Sequence, residues 1–414
     1  MTKNNLVKVI SVIVLILSLS TVAMAKQVEL TFWNGFTGPD RVQVEGLVKE
    51  FNETHPDINI KMEIMPWDSF FQKLLPSLAV GKGPDIAAFD TSYIPRYAES
   101  GVIAPIDDLY EGYIDKDTLI PAMYNNLKWK GKTYGSPMNY TSLLLYYNKD
   151  MFKEAGLDPN NPPRTWKELK EYALKLTKDT NNDGKVDQYG FVIAAKQTIP
   201  MWPIVIWGNG GRIIKDGEVF INKPKAVEAV ESMASLIKED GISPIGLTGA
   251  ECDKLFETQR AAMYFCGPWM VNGFKNAGIN FGVAQVPARE DGRRITLGTS
   301  VAMVLNKASL DKKEAAYEFF KFWNSKKSQI YWSLGSGFPP TRIDITEEKL
   351  AQNPFVVEFS RAARDSRFYL PKLENFNKIN SDVIVPALEK VLYDKATAEE
   401  ALDEAAFIIK RIID

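Results

Sequence analysis

The residues from 28 to 90 alternate between β-rich runs and amphipathic helical stretches, and this alternation restricts the fold more than any other feature of the chain. The β-rich runs cover about 28–33, 58–65 and 84–89. Between the first two, apolar residues recur at helical spacing, namely Val44, Leu47, Val48 and Phe51. A second helix is predicted from about Trp67 to Val80. Such alternation is typical of α/β proteins, in which helices cover a parallel sheet.

The same pattern continues along the chain and shows where a ligand would bind. Extended structure is predicted over 134–147 and 295–305, and helices after Thr165, around 316–323 and over 398–413. In sheets of this kind, ligands bind beyond the carboxyl ends of the strands. Residues 33–37 and 89–93 follow two such ends, so we expect ligand contacts there.

The N-terminus has the three parts of a secretory signal. Lys3 and Lys8 are basic, an apolar run extends from about Val9 to Leu19, and Ala23-Met24-Ala25 forms a small-x-small cleavage site. The run is shorter than the roughly 20 apolar residues that span a membrane. We therefore predict a signal peptide over 1–25 that is cleaved after Ala25, rather than an uncleaved anchor helix. No cysteine stands at the cleavage site, where Lys26 follows Ala25, so we predict that the protein is not a lipoprotein.

Charge and composition exclude several classes of function. The 414 residues suggest two or three domains, and a net charge of −2 provides no basic field for nucleic acid. The chain has one histidine, His55, which argues against most Ser–His and Cys–His catalytic sites and against zinc. No phosphate-binding glycine motif follows a predicted strand.

The chain has two cysteines, Cys252 and Cys266. Export would permit a disulfide bond between them. The alternative is a pair of buried free thiols, and the sequence leaves both interpretations open.

The loop from Asp179 to Asp187 has the spacing of a calcium-binding loop. Oxygen-bearing side chains occupy positions 1, 3, 5 and 9, and a glycine occupies position 6. The ligand set would be Asp179, Asn181, Asp183, the backbone carbonyl of Lys185, and Asp187. Gly190 stands where such a loop places its bidentate glutamate, so an Asx-rich turn without metal is the alternative. No other cofactor is predicted.

Sugar recognition requires polar groups for the hydroxyls and aromatic faces for the CH surface of the ring. Several stretches near predicted strand ends or turns combine the two: Trp33-Asn34, Phe89-Asp90, Asn139-Tyr140-Thr141, Trp202, Trp207-Gly208-Asn209 and Gly267-Pro268-Trp269. Each of them, taken alone, also fits a role in the core or in a turn.

Three sets of motifs in a fixed order resemble a known family. They are Gly83-Pro84-Asp85-Ile86 with Tyr97-Ala98-Glu99-Ser100-Gly101, then Tyr147-Asn148-Lys149-Asp150 with Pro163 to Leu169, and then Ala261-Ala262-Met263, Gly267-Pro268-Trp269 and Phe281-Gly282-Val283 with Pro287. On these motifs the chain resembles the extracellular sugar-binding proteins of ABC importers, the family that includes the maltodextrin-binding protein. The resemblance covers nearly the whole chain after the signal.

The resemblance implies a two-lobe periplasmic-binding-protein fold, similar to type II, with the ligand in the cleft between the lobes. Each lobe is expected to be a mixed, mostly parallel sheet flanked by helices. The predicted boundaries are 26–138 with 303–347 for the N-terminal lobe and 142–297 with 348–414 for the C-terminal lobe, with hinges near 138–142, 297–303 and 340–350. The resemblance also implies a periplasmic or extracytoplasmic monomer whose partners are a sugar and the transmembrane subunits of the importer.

The resemblance also implies a set of ligand-binding residues. Trp269 matches an aromatic residue that stacks on sugar in this family. The full set is Trp33, Asn34, Phe36, Thr37, Phe89, Asp90, Ser92, Tyr93, Asn139, Tyr140, Thr141, Trp202, Asn209, Trp269, Gly298, Thr299 and Phe338.

The chain departs from the maltodextrin-binding protein at several positions. Phe89 replaces a tryptophan, Thr141 and Gln197 each replace a glutamate, and Ser381 lies near the position of a further stacking tryptophan. These changes argue for a different or shorter sugar. The alternatives are an exported carbohydrate-active enzyme, a hydrolase or lyase, and a binder of a polyol, polyamine or phosphate ester.

Overall fold

The computed structural model describes residues 27–195 and 200–414, and its strands are named here in chain order. They are β1 (Val28–Asn34), β2 (Ile58–Ile64), β3 (Ile86–Asp90), β4 (Lys128–Trp129), β5 (Lys132–Thr133), β6 (Ser136–Ser142), β7 (Leu144–Asn148), β8 (Ile214–Lys215), β9 (Glu218–Val219), β10 (Met263–Cys266), β11 (Phe281–Ala284), β12 (Thr296–Leu305) and β13 (Ser366–Phe368). The strands predicted near residues 28, 58 and 84 are confirmed as β1, β2 and β3.

The helices are named in the same way. They are α1 (Arg41–Thr54), α2 (Trp67–Ala79), α3 (Ile94–Glu99), α4 (Leu109–Gly112), α5 (Pro121–Asn126), α6 (Lys149–Glu154), α7 (Trp166–Leu176), α8 (Trp202–Gly208), α9 (Pro224–Lys238), α10 (Gly249–Glu257), α11 (Val271–Asn276), α12 (Lys313–Trp323), α13 (Lys326–Ser336), α14 (Glu347–Leu350), α15 (Pro354–Ala362), α16 (Phe376–Ile379), α17 (Val385–Leu392) and α18 (Ala398–Ile413). The predicted cap at Thr165 is confirmed, because its side chain and that of Glu168 form a capping box.

The first lobe is built on a six-stranded mixed sheet. β1 lies between β2 and β3 and is parallel to both. β12 pairs antiparallel with β3 and with β6, and its first residues pair parallel with β13. The carboxyl ends of β1 and β3 therefore lie at the same edge of the sheet, as the sequence predicted.

Both faces of this sheet are buried. Leu30 and Phe32 of β1 pack into one core together with Phe319 and Trp323 of α12. Successive residues of a strand point to opposite faces, so Trp33, which follows Phe32, contacts the core on the other face of the sheet. This alternation decides which strand-end residues can reach a ligand.

The second lobe is built on a three-stranded sheet in which β7 lies between β10 and β11. Both pairs are antiparallel, so this sheet departs from the mostly parallel arrangement that was expected. Parallel bridges occur beside it, where Tyr189 and Val192 pair with Ala261 and Tyr264. The α/β class and the mixed sheets are confirmed.

The chain passes directly between the two sheets. A single residue, Leu143, separates β6 of the first sheet from β7 of the second. β12 runs beside this connection, because the backbone N–H of Leu143 donates a hydrogen bond of 3.0 Å to the carbonyl of Leu297, whereas Met303 and Leu305 further along β12 pack into the core of the first lobe. The connections between the lobes are thus ordinary strands.

No helix in the described ranges is both long and apolar enough to cross a membrane. The predicted signal peptide over 1–25 lies outside the described residues, as does Gln197.

Candidate functional site

A cavity of about 320 Å³ lies between the two lobes, within the size range of about 300–1,000 Å³ typical of small-molecule sites. The first lobe and β12 contribute Gly35, Phe36, Thr37, Gly38, Asp40, Trp67, Phe71, Asp90, Asn139, Thr299, Val301 and Phe338 to its lining. Leu143, between the sheets, and the second lobe contribute Met201, Gly249, Ala250, Asp253, Trp269 and Met270. A molecule in this cavity would contact both lobes.

Aromatic rings form part of the wall on the first lobe. Phe36 follows the end of β1, and its backbone N–H donates a hydrogen bond of 3.2 Å to Asn34 Oδ1. Its ring centroid lies 5.7 Å from that of Trp67 in an edge-to-face arrangement. Gly35 permits this packing, because a Cβ atom there would come within 2.1 Å of the Trp67 ring.

A further aromatic wall comes from the second lobe. Trp269 lies in the short turn that follows β10, and its ring centroid is 6.4 Å from that of Phe338. A Cβ atom on Gly267 would lie 1.9 Å from the Trp269 ring, so the glycine of this motif makes room for the tryptophan. The two rings bring aromatic surface from separate segments of the chain to one cavity.

The cavity has three acidic side chains, and burial raises the pKa of each of them. Burial raises the pKa of Asp40 and of Asp253 to about 7. Burial also raises the pKa of Asp90, although hydrogen bonds from Ser92 and Thr299 act in the opposite direction. Among the residues that line this cavity in the described part of the chain, none is lysine, arginine or histidine.

Asp90 is held by donors of the protein itself. The backbone N–H and the hydroxyl of Ser92 donate to its Oδ1 at 2.8 Å and 2.5 Å. The hydroxyl of Thr299 donates to Oδ2. This network joins the end of β3 to β12, the strand that both lobes share.

Asn139 lines the same cavity and has one side-chain donor without a partner. Its Oδ1 accepts a hydrogen bond of 3.0 Å from the backbone N–H of Val301, which fixes the orientation of the amide. Its Nδ2 is buried without a partner, and the residue is only 2% exposed. An unsatisfied buried donor is costly, so an acceptor oxygen on a ligand would stabilise this position.

A smaller hollow of about 30 Å³ adjoins the cavity, and the two share Asp90 and Thr299. Ser92 and Gly298 line this hollow, as does Lys372. The structure therefore brings together, in the cavity or the hollow, part of the predicted set: Phe36, Thr37, Asp90, Ser92, Asn139, Trp269, Gly298, Thr299 and Phe338.

Several predicted residues at the first-lobe strand ends lie elsewhere, and their assignment is corrected here. Phe89 is fully buried and its ring stacks on Tyr97 at 4.7 Å, because the alternation of β3 turns it into the core. Trp33 and Asn34 do not line the cavity either. Tyr93 stacks on Phe71 at 4.2 Å, behind the cavity wall.

The remaining predicted residues also have structural roles. The hydroxyl of Tyr140 lies 2.5 Å from that of Ser366, and Thr141 is fully buried in the sheet. Trp202 is 2% exposed and lines a separate hollow within the second lobe. Asn209 donates to the carbonyl of Lys225 at 2.9 Å at the end of α8. Ser381, noted above as a departure, is exposed.

Sequence reasoning missed Asp40, Trp67 and Asp253. Trp67 could have been found, because it follows the carboxyl end of β2, a third strand end at the same edge of the sheet. Asp40 follows Gly38 and Pro39 immediately before α1. Asp253 gave no signal, since it is one acidic residue in an amphipathic helix, and only the packing of α10 brings it to the cavity.

The loop over 179–187 is held by hydrogen bonds among its own residues. The backbone N–H of Gly184 donates to Asp179 Oδ2 at 2.7 Å, and that of Asp183 donates to Asn181 Oδ1 at 2.8 Å. The hydroxyl of Thr180 donates to Asp187 at 2.9 Å. No group of three or more acidic, histidine or cysteine side chains in the described ranges is arranged to hold a metal ion.

Cys252 and Cys266 are free thiols and both are fully buried. The structure therefore has the free-thiol arrangement, and no disulfide bond joins these two residues in it. Cys252 packs into the core from α10, whereas Cys266 Sγ lies 3.6 Å from Asp253 Oδ1, so each thiol has its own surroundings.

The fold and the cavity together define a two-lobe solute-binding protein. Residues 38–330 match the sequence profile of the bacterial extracellular solute-binding proteins, and the chain belongs to this family. It is accordingly a solute-binding protein of ABC importers, in a family of substrate-binding proteins rather than enzymes. The family resemblance stated from the sequence is confirmed.

Individual relatives agree with this assignment over nearly the whole chain. An ABC transporter solute-binding protein from Thermotoga lettingae TMO, solved with α-D-tagatose, has a TM-score of 0.84 and 26% identity, covering 94% of this chain and 100% of that one. The galactooligosaccharide-binding protein of Bacillus subtilis is 28% identical, covering 94% of this chain and 90% of its own. The sn-glycerol-3-phosphate-binding periplasmic protein of Brucella melitensis is 29% identical, covering 92% of each.

Proposed function

We propose that this protein binds a sugar, from a mono- to an oligosaccharide, in the cavity between its lobes and delivers it to the membrane subunits of an ABC importer. The observation that carries the proposal is the lining of the cavity. Aromatic rings from both lobes surround hydrogen-bonding groups of Asp90 and Asn139. Flat apolar faces with a few fixed polar groups suit the CH surface and the hydroxyls of a sugar ring.

The charge of the lining favours a sugar over a phosphate ester. The relatives named above bind ligands as different as tagatose and sn-glycerol-3-phosphate. A phosphate group requires cationic side chains or clustered backbone N–H groups. The described lining has three acidic side chains and no basic ones, which favours a neutral or cationic ligand over a phosphate ester. A polyol or a polyamine is the remaining alternative among solutes.

Ligand binding should shift the protein toward a closed form. The proposed moving units are residues 26–138 with 303–347 and residues 142–297 with 348–414, with hinges near 138–142, 297–303 and 340–350. A ligand that contacts both lobes binds the closed form better and raises its population. Micromolar affinity corresponds to about −8 kcal/mol, which stacking and hydrogen bonds can supply after the cost of closure.

The protein is proposed to act outside the cytoplasm as a monomer. Membership of an extracellular family supports an exported protein. We infer cleavage after Ala25 from the sequence, and propose no lipid anchor because the residue at the cleavage site is Lys26 and not cysteine. Its protein partners would be the transmembrane subunits of the importer.

The proposal assigns no catalytic residue, and the alternative of a hydrolase or lyase is tested directly. Thermal shift against a panel of sugars, polyols, spermidine and sn-glycerol-3-phosphate identifies the ligand class, and calorimetry measures affinity. The sugar recovered after incubation should be intact. Recovery of cleaved sugar would make the protein an enzyme, and binding of glycerol phosphate alone would remove the sugar from the proposal.

Calcium in the 179–187 loop is proposed as a structural ion of the second lobe and not as part of the ligand site. Asp179, Asn181, Asp183 and Asp187 would supply side-chain oxygens, and Lys185 a carbonyl. The support for it is the spacing of these residues in the sequence.

A further inference from the structure

We propose that the solute is an amine-bearing sugar, whose ammonium group is bound by the carboxylates of Asp40 and Asp253 while one of its oxygens accepts a hydrogen bond from Asn139. The proposal rests on the proposed function, because it names the chemical class of the sugar that occupies the same cavity.

The three carboxylates differ in the donors that the protein gives them, and that of Asp40 accepts from the backbone N–H groups of Asp40 and Arg41. Asp90 accepts hydrogen bonds from Ser92 on one oxygen and from Thr299 on the other. Asp253 accepts from Tyr264 at 3.0 Å and from Cys266 at 3.6 Å, and both of these contacts are to Oδ1. Asp90 is therefore satisfied from within the protein, whereas Asp253 has acceptor capacity remaining for a ligand.

Asp40 and Asp253 belong to opposite lobes and lack a cationic partner. Asp40 is 5% exposed and lies immediately before α1, and Asp253 lies on α10. In the described part of the chain, neither forms an ion pair with lysine or arginine. A buried carboxylate without a cation is destabilising, and this burial raises the pKa of both groups to about 7.

An ammonium group on the ligand would remove this penalty. A hydrogen bond between an ammonium group and a carboxylate is stronger than one between neutral groups. Pairing also restores the ionised form of a buried acid. Since one carboxylate comes from each lobe, a single cation in the cavity would be contacted by both halves of the protein.

Asn139 distinguishes an amine-bearing sugar from a polyamine. Its Nδ2 is a donor, is buried, and has no partner in the protein. A protonated polyamine has only donors and would leave this group unsatisfied. A hydroxyl or ring oxygen of a sugar would accept a hydrogen bond from Asn139 Nδ2. The lining therefore favours a ligand that has both an ammonium group and an acceptor oxygen. The rings of Trp67 and Trp269 then cover the sugar face.

The experiment compares sugars that differ in one group. Calorimetry at pH 7.5 measures binding of glucosamine, galactosamine, mannosamine and the chitosan disaccharide. Each is compared with the sugar that has a hydroxyl group in place of the amino group and with its N-acetyl form. Spermidine is included to test the polyamine alternative. The amine form should bind at least about tenfold tighter than its hydroxyl and acetamide counterparts, a difference that one charge-assisted hydrogen bond can supply.

Variants test whether the named carboxylates cause the preference. Asp253→Asn and Asp40→Asn should each lower the ratio of the affinity for the amino sugar to the affinity for its hydroxyl counterpart. Asp68→Asn is the matched control, since it removes the same charge from an exposed position beside Trp67 that does not line the cavity. A circular dichroism spectrum shows whether each variant is folded. If a variant does not fold, the comparison of sugars on the wild-type protein still tests the preference for the amine.

The outcomes separate this proposal from the proposed function. Binding of a neutral sugar as tightly as any amino sugar overturns the amine while the sugar-binding function stands. Tighter binding of spermidine than of any sugar, or binding of no sugar in either form, overturns both. A preference for the amine that survives both carboxylate variants overturns the assignment of Asp40 and Asp253.

Discussion

The hydroxyl of Tyr146 donates a hydrogen bond of 2.7 Å to the backbone carbonyl of Gly267. Tyr146 lies in the central strand of the second sheet and is fully buried, so the bond ties the turn that carries Trp269 to that strand. The indole is thus held in place before any ligand arrives, which lowers the entropy cost of binding.

Trp269→Ala should weaken ligand binding by about 1–3 kcal/mol, by analogy with other rings that stack on aromatic side chains. Isothermal titration calorimetry of the variant measures the effect. Trp129→Ala is the control, because this indole contacts Glu99 outside the cavity. Unchanged affinity in a folded Trp269→Ala protein would show that the ring does not contact the ligand.

The stability of the ligand-free protein should fall as the pH rises from about 4 to 7. Since burial raises the pKa of Asp40 and Asp253 to about 7, the folded protein holds protons in this range that the unfolded chain has released. Asp253→Asn should therefore flatten this slope and stabilise the protein at pH 8 by about 1–3 kcal/mol. Denaturant melts at intervals between pH 4 and 8 measure the slope, and Asp68→Asn provides the reference. Parallel slopes in the wild type and Asp253→Asn would contradict a buried acid at this position.

Addition of the ligand should close the lobes. Small-angle scattering should record a smaller radius of gyration, and the fluorescence of Trp67 and Trp269 should change because both line the cavity. Trp67→Phe and Trp269→Phe, tested separately, assign the signal. Tight binding without compaction would mean that the cleft is closed at all times, and the switching mechanism would then fail although binding remained.

If the loop over 179–187 holds calcium, a chelator should lower the melting temperature and added calcium should restore it. The reason is mass action, since an ion that binds only the folded state stabilises it. Asp183→Ala should remove the response without altering sugar affinity. A melting temperature that is constant at every calcium concentration would leave a turn held by its own hydrogen bonds.

Both cysteines should react with a thiol reagent only after the protein unfolds. Cys252 and Cys266 are fully buried, and burial raises the pKa of both thiols, so almost no thiolate is exposed in the native state. Titration in guanidinium without reductant should count both thiols. A count of zero under those conditions would indicate a disulfide bond.

The sequence predicted the elements of the fold better than the membership of the site. Helical periodicity placed α1 and α18 within a few residues, because each buries one face, and β-rich composition placed β1. The second sheet was less predictable. Strand direction depends on pairing between β7 and β10, which lie far apart in the chain.

The site was predicted where local sequence and position coincide, as in the turn that carries Trp269. The prediction of site residues failed at Phe89 and Trp202, because each of these aromatic side chains packs into the core. A shift of one residue along a strand turns a side chain to the opposite face, so Asp90 reaches the cavity and its neighbour does not. Asp253 depends on the packing of a helix, which no local pattern encodes.

The core of the first lobe has a consequence for the order of events during synthesis. Phe32 near the start of the chain packs against Phe319, with ring centroids 5.6 Å apart, and α13 adds Trp332 to the same core. A nascent chain that has not yet reached residue 332 therefore lacks one wall of that core, although β1, β2 and β3 are already made. Contacts so distant in sequence form late and slowly. For the export that the predicted signal peptide implies, this late completion would favour a chain that is still unfolded when it reaches the membrane.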